Sequence, residues 1–187
     1  MAGLTNAARV FVAPARVGRG VFAARPFRRG DTVLAIEGRV VNYMRLWERA
    51  GSRYASNCIR FGPETYLDPG DGPAGFLNHS CAPNSAITKG ANRLYLVAAR
   101  RIPKGEEIAF DYSTTIGDDD VWRMRCKCGN ASCRRLVRNF GSLPVERRAY
   151  YLANGFVPPF IVRTLADRGL IGLSRHAGLS SSLIRPR

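Results

Sequence analysis

Residues 76–84 read Phe76-Leu77-Asn78-His79-Ser80-Cys81-Ala82-Pro83-Asn84. An amide, an imidazole and a thiol follow one another at Asn78, His79 and Cys81, so three chemistries share one short stretch. Phe76 and Leu77 would seat one end in a core, and Pro83 stiffens the other by fixing φ. The segment reads as an ordered loop that presents polar groups. Alone, it would equally suit an Asx-type turn with a satisfied histidine and a buried thiol.

Outward from that stretch, the chain divides by composition. Its 187 residues suffice for one domain with an appendage, and 45% hydrophobic content is ordinary for a globular protein. No apolar run reaches the roughly 18 residues a membrane span needs. Arg9 and Arg16 interrupt the N-terminal stretch where a secretory signal would be apolar. The expectation is an intracellular, soluble protein, cytoplasmic or held in the nucleoid or nucleus, with no membrane partner. Oligomeric state is not legible. The net charge of +15 is uneven: residues 1–122 carry 16 Lys/Arg against 12 Asp/Glu, and residues 123–187 carry 13 against 2. An acidic partner for the C-terminal third follows, either nucleic acid or an acidic protein face. Of the 29 basic residues 26 are arginine, a bias that GC-rich coding also produces.

Short apolar runs at 8–12 and 20–24 read as strands, with Gly18-Arg19-Gly20 between them. The G-x-G-x-x-A spacing through Ala23 would need a helix directly afterwards to bind a dinucleotide. Pro26 and Gly30 leave no room for one, so the turn is a tight hairpin or a close backbone approach to a ligand. Residues 31–41 are expected as one strand with Gly38 as a bulge, and 42–50 as a short helix capped by Asn42 and stopped by Gly51. Hairpins are expected around Gly62-Pro63-Glu64 and around Gly90. Residues 105–112, GEEIAFDY, make a further strand, with Phe110 and Tyr112 on one side of it. An echo links 24–33, ARPFRRGDTV, with 99–108, ARRIPKGEEI; each reads as a turn whose Gly takes positive φ before a strand. Two short helices follow in 142–155 and 158–169, and the Ser/Arg-rich stretch from Ser174 reads as mobile. The fold class is mainly β with a short C-terminal α-helical extension.

Five cysteines without a secretion signal argue against a disulfide framework. Cys126, Cys128 and Cys133 form C-x-C-x₄-C, and three thiolates on so short a loop can reach one tetrahedral zinc at about 2.3 Å. The fourth ligand is open among Cys58, Cys81, His79 and His176. Nearby Arg125, Lys127, Arg134 and Arg135 would offset a negative metal centre. A zinc knuckle that binds RNA competes with a purely structural metal.

Gly18-Arg19-Gly20, FLNHSCAPN, GEEIAFDY and C-x-C-x₄-C occur in the order found in SET-domain protein lysine methyltransferases with a post-SET zinc loop, which this chain resembles over roughly residues 8–138. The resemblance implies a fold of small β-sheets in which the NHSC and FDY segments cross as a pseudoknot. It divides the chain into a SET domain (1–122), a post-SET zinc loop (123–138) and a basic helical extension (139–187). It implies S-adenosylmethionine held by Asn78 and His79, with Gly18, Arg19 and Gly20 over its methionine end and Leu136 against its adenine. It implies Cys81 as the fourth ligand beside Cys126, Cys128 and Cys133, Tyr112 as the active-site tyrosine, and Phe110 as a channel residue permitting multiple methylation. The partner implied is a protein with an accessible lysine, whose basic neighbours the run Asp118-Asp119-Asp120 would receive. Cys58 is left as a buried thiol, and the position facing the cofactor in the preceding insert falls to Tyr54 or Asn57. The chain departs from the pattern at Arg19 (often Trp), Gly75 (often Arg) and Ile36 (often Tyr). The reading is an S-adenosylmethionine-dependent protein-lysine N-methyltransferase. Its alternative is a catalytically weak SET module that binds nucleic acid or protein.

Overall fold

In a computed structural model describing residues 9–42, 44, 46, 48, 57–90 and 93–171, the stretch at 76–84 runs through the middle of a set of small sheets. β1 (Val10–Pro14) and β2 (Arg19–Ala23) form the expected hairpin, closed by Ala15 N–H on the Gly18 carbonyl at 2.9 Å, with Gly18 at φ 60°. The dinucleotide-turn reading is excluded because the chain continues as strand. β3 (Thr32–Ile36) and β4 (Arg39–Asn42) follow, then β5 (Ile59–Arg60) and β6 (Thr65–Asp68), β7 (Asn78–His79), β8 (Ser85–Lys89), β9 (Leu94–Ala98) and β10 (Glu107–Phe110). β11 (Met124–Arg125) and β12 (Leu136–Val137) form a two-stranded ribbon, and the helices α1 (Val145–Ala153) and α2 (Pro159–Asp167) come last.

The sheets run β1-β2-β10-β7, β3-β9-β8 and β4-β6-β5. All pairings are antiparallel except β7 with β10, where Asn78 faces Ala109 and His79 faces Phe110. A parallel pair cannot be closed by a tight turn, and the β8–β9 hairpin supplies the crossover. Strand faces converge on one core containing Val21, Leu34, Leu96 and Ile108. A second core joins Ala86 and Ala99 to Phe140, Tyr151, Phe160 and Leu165. The two helices are therefore packed onto the β body rather than appended to it.

The echoed segments pair with each other. Phe27 and Ile102 exchange both backbone hydrogen bonds, at 2.8 and 2.9 Å, and Gly30 and Gly105 stand at φ 88° and 83°. The expected strand at 31–41 is corrected: it breaks at Glu37-Gly38, and its halves belong to different sheets. Gly38 is no bulge. A Cβ there would land on the Asp68 carbonyl and stand 2.8 Å from its carbon, so only glycine lets the chain cross between sheets. Gly38→Ala is expected to cost about 1–3 kcal/mol by forced overpacking, read as a lower urea midpoint with unchanged m-value.

GEEIAFDY is also shorter as a strand than expected. β10 ends at Phe110, and Tyr112 opens a 3₁₀ turn, Tyr112–Thr115, capped by the Asp111 carboxylate on Ser113 N–H. Of the helix expected at 42–50, Asn42 instead closes β4, and Met44 carbonyl accepts from Glu48 N–H at 3.0 Å. Met44 and the buried Leu46 are helical as expected, while residues 43, 45, 47, 49 and 50, with Gly51, Tyr54, Ala8 and the stretch from Ser174 including His176, lie outside the described residues. Among the described residues no helix is long and apolar enough to cross a membrane.

Candidate active site

The parallel β7–β10 pair sets the position of each polar group in the quoted stretch. Asn78 Nδ2 donates to the carbonyls of Val17 (3.2 Å) and Arg19 (3.1 Å) and to Glu107 Oε1 (2.8 Å). One amide thus ties the β1–β2 turn to β10. Gly20 is needed at this crossing, since a Cβ there would come 2.5 Å from Glu107 Oε1. Next in line, His79 Nδ1 accepts from Tyr112 N–H at 3.2 Å. The ring is therefore the Nε2–H tautomer, with Nε2 3.2 Å from Cys81 Sγ. Burial holds its pKa down at about 4, Asp111 opposing and Arg134 assisting. At neutral pH His79 is an uncharged spacer between the tyrosine backbone and the sulfur cluster.

Two clefts are lined by these residues, the first by Asn78 and His79 and the second by Tyr112. The smaller, about 250 Å³, is polar and is lined by Arg16, Asn78, His79, Glu106, Glu107 and Cys128 among others. A lining that holds both guanidinium and carboxylate groups suits a small zwitterion, which an amino-acid moiety is. Gly18, Arg19, Gly20 and Leu136 are not in its lining: Val17 carries the turn's contact, Arg19 lies 4.4 Å over the Phe76 ring, and Leu136 is half-buried opposite Arg125 on the ribbon.

The larger cleft, about 780 Å³, has an apolar floor that includes Leu77, Phe110, Tyr112 and Trp122, with Glu64, Asp119 and Asp120 on its walls. Tyr112 lines it, its ring 4.8 Å from Phe110, 5.3 Å from His79 and 6.3 Å from Trp122. Phe110 and Tyr112 share this wall although the chain turns between them. The Tyr112 hydroxyl donates to Leu77 carbonyl at 2.5 Å, and burial with the Glu107 charge pushes its pKa far up. It stays a phenol at physiological pH and is a hydrogen-bonding group rather than a base. Of the two insert positions, Asn57 lines this larger cleft, so it does not face the smaller one.

Cys81, Cys126, Cys128 and Cys133 bring their sulfurs within 4.8 Å of one another, Cys81 to Cys126 at 3.7 Å. Four sulfurs about 2.3 Å from one tetrahedral ion would be separated by about 3.8 Å, so the set fits a structural zinc. Backbone N–H groups of Arg134, Cys128 and Arg135 each point at a sulfur at 3.4 Å, to Cys81, Cys126 and Cys133. Such donors stabilise thiolates. Cys58 is outside the cluster, its thiol pushed up to about 11 by burial and Asp68 despite Arg39.

The sequence reading missed Asp111, the most connected side chain of the site. Its carboxylate is fully buried and receives a bidentate pair from Arg134 (2.8 and 2.7 Å), the Tyr151 hydroxyl (3.0 Å) and Ser113 N–H (3.1 Å). One group thereby joins the cysteine loop, the turn of Tyr112 and α1. The run Asp118–Asp120, expected to receive substrate charge, is partly engaged by the protein itself, while Asp119 and Asp120 still line the larger cleft. Asp118 accepts from Gly141 N–H (3.0 Å) and Arg168 (3.4 Å). Asp119 is clasped by Arg60 at 2.9 and 2.7 Å, which holds its carboxyl below the usual range. Asp120 accepts from Trp122 N–H at 2.8 Å. Gly75, where relatives often carry Arg, has a reason in packing: a Cβ would sit 2.6 Å from Gly70 carbonyl.

Small sheets around a parallel Asn-His/Phe pair, with a tyrosine between two clefts and four thiols alongside, define the SET-type architecture. The SET domain model matches residues 18–113, just over half of the chain. Over 137 residues the chain is 31% identical to Histone-lysine N-methyltransferase 2D of Homo sapiens, covering 67% of this chain and 2% of that protein. It is 33% identical over 135 residues to Histone H3-lysine(4) N-trimethyltransferase ATX1 of Arabidopsis thaliana, 65% of this chain and 12% of that one. With Histone-lysine N-methyltransferase ash1 of Drosophila melanogaster it shares 30% over 132 residues, 64% and 6% respectively. This chain belongs to the SET domain family. It spans only a small fraction of the length of these relatives.

Proposed function

We propose that the chain transfers methyl groups from S-adenosylmethionine to lysine ε-amines of a protein, with one structural zinc. The observation that carries this reading is the His79–Tyr112 contact, which sets a small cleft lined by His79 and several charged groups beside a larger, mostly apolar one lined by Tyr112. Asn78, His79, Arg16 and Glu107, with the backbone of residues 17–20, would hold the cofactor, and Leu136 is retained as an adenine contact once the cleft is filled. The cofactor supplies a sulfonium-bound methyl group. Cys81, Cys126, Cys128 and Cys133 would hold the metal, keeping residues 123–138 beside the cofactor. Residues 1–122 would form the catalytic body, braced by the two described helices of the 139–187 extension.

Displacement at a methyl carbon needs alignment of the amine and the sulfonium more than acid-base chemistry. A lysine with reference pKa near 10.4 costs about 4.6 kcal/mol to deprotonate at pH 7. An apolar channel walled by Phe110, Tyr112 and Trp122 disfavours the ammonium form and reduces that cost. The Tyr112 phenol orients the amine. Tyr112→Phe is expected to lower kcat at least about 100-fold, the scale of a misaligned attack. It should leave cofactor affinity within a few-fold, as isothermal titration would show. The rate of both forms should rise with pH as the substrate lysine loses its proton and becomes a neutral amine, because Tyr112 remains protonated throughout. A wild-type chain that binds no S-adenosylmethionine would instead make it a binding module. Phe110 leaves room for further methyl groups, so product masses should pass beyond one methyl, and Phe110→Tyr should stop them earlier.

A further inference from the structure

We propose that the outward face of the β11–β12 ribbon binds the phosphate backbone of nucleic acid. Between residues 121 and 145 the chain has six basic residues and no acidic one. Arg134 is turned inward onto Asp111, leaving Arg123, Arg125, Lys127, Arg135 and Arg138 exposed. Exposure alternates from 123 to 127, with Met124, Cys126 and Cys128 less exposed between them. Arg123, Arg125 and Lys127 therefore point to one side at intervals of about 6.8 Å, the scale of successive phosphates on one strand. Register places Arg138 beside Arg123, one step beyond the Met124↔Val137 pair.

The metal does not account for these charges. A zinc ion with four thiolates has a net charge of −2, and three backbone N–H groups already point at its sulfurs. Five exposed cations exceed what remains. An acidic protein face is the weaker occupant, because protein interfaces are built around an apolar centre: only the half-buried Leu136 stands among these cations, and the exposed Val121 lies at the end of the run on the wall of the larger cleft. Phosphate needs no such centre, and the guanidinium fork matches it directly. The ligand is thus nucleic acid bound without reading of sequence, through counterion release. Nothing in this argument depends on methyl transfer.

The test uses the full, zinc-loaded chain and a labelled DNA duplex of mixed sequence, with affinity followed by anisotropy across a salt series. Arg123→Gln with Arg138→Gln lies outside the Cys126–Cys133 loop. It is expected to reduce the log–log salt slope by about 1.8, at 0.9 per lost phosphate contact. Metal content and S-adenosylmethionine binding should be unchanged. If the double variant loses metal, Arg138→Gln alone is read in the same way, with an expected drop of about 0.9. A slope that survives these variants, or falls instead with Arg147→Gln and Arg163→Gln on the helices, overturns the assignment. So does an acidic polypeptide of equal charge that binds where the duplex does not.

Discussion

Stripping the metal should abolish methyl transfer and release residues 123–138 from the body. Apart from the four sulfurs, that segment is held to the body chiefly by the buried Val137 and by Arg134 on Asp111. Its β11–β12 pairing covers two residues on each strand, and Gly129 and Arg135 both require positive φ. A structural zinc in a small motif supplies about 10–16 kcal/mol of apparent binding free energy at neutral pH, far more than so short a ribbon can. Cys81 anchors the loop to the cofactor side, since it alone of the four lies next to His79 in the chain and touches its Nε2 at 3.2 Å. Chelation is therefore expected to expose amides 123–138 to hydrogen exchange and Cys128 to alkylation, while β3, β8 and β9 stay protected. Cys81→Ser should reproduce both effects and lower the bound metal to well below one equivalent. A metal-free chain with full activity and a protected ribbon would remove the metal from the account.

How far the site was readable varies by residue for physical reasons. The three-cysteine spacing was legible because three thiols within eight residues leave few alternatives, whereas Asn78, His79 and Tyr112 were singled out only through the order of motifs shared with SET-domain enzymes. The two C-terminal helices were legible from Pro144 and Pro159 at their starts and Gly155 and Gly169 beyond their ends. The break at Gly38 was not. Apolar residues continue on both sides of it, and only the approach of Asp68, thirty residues later, shows why the chain must cross. Asp118–Asp120 looked like a free acidic patch because nothing local announces Arg60 or Arg168 as partners. Asp111 carried no signal either: an acid beside an active-site tyrosine reads as solvent-facing until its distant partners, Arg134 and Tyr151, are brought to it by the fold. Asn84 ended the first stretch quoted and was given no role, yet its amide donates to Glu106 Oε1 and to Glu107 carbonyl, and accepts from Ala109 N–H, clamping β10 from the side of β8.

Asp111→Ala is expected to be the most damaging substitution that touches neither metal nor cofactor. It would leave the Arg134 guanidinium without its bidentate partner, and the Tyr151 hydroxyl and Ser113 N–H without their acceptor. Removing one member of a buried pair typically costs about 3–5 kcal/mol. For a chain of this size that is a fall in Tm of roughly 6–20 °C. Tyr151→Phe keeps the ring in its core and removes one hydrogen bond to a charged acceptor, about 1.5–3 kcal/mol. Because both changes break the same contact, the double variant should be less destabilised than the two losses added together, which a thermal or urea double-mutant cycle would measure. Tyr151 belongs to helices outside the matched SET segment, while Asp111 lies one residue before Tyr112. Coupling between them would mean that the extension supports the turn presenting Tyr112. Strict additivity would mean that α1 merely covers the sheet, and that the 3.0 Å hydrogen bond contributes nothing to the position of the turn.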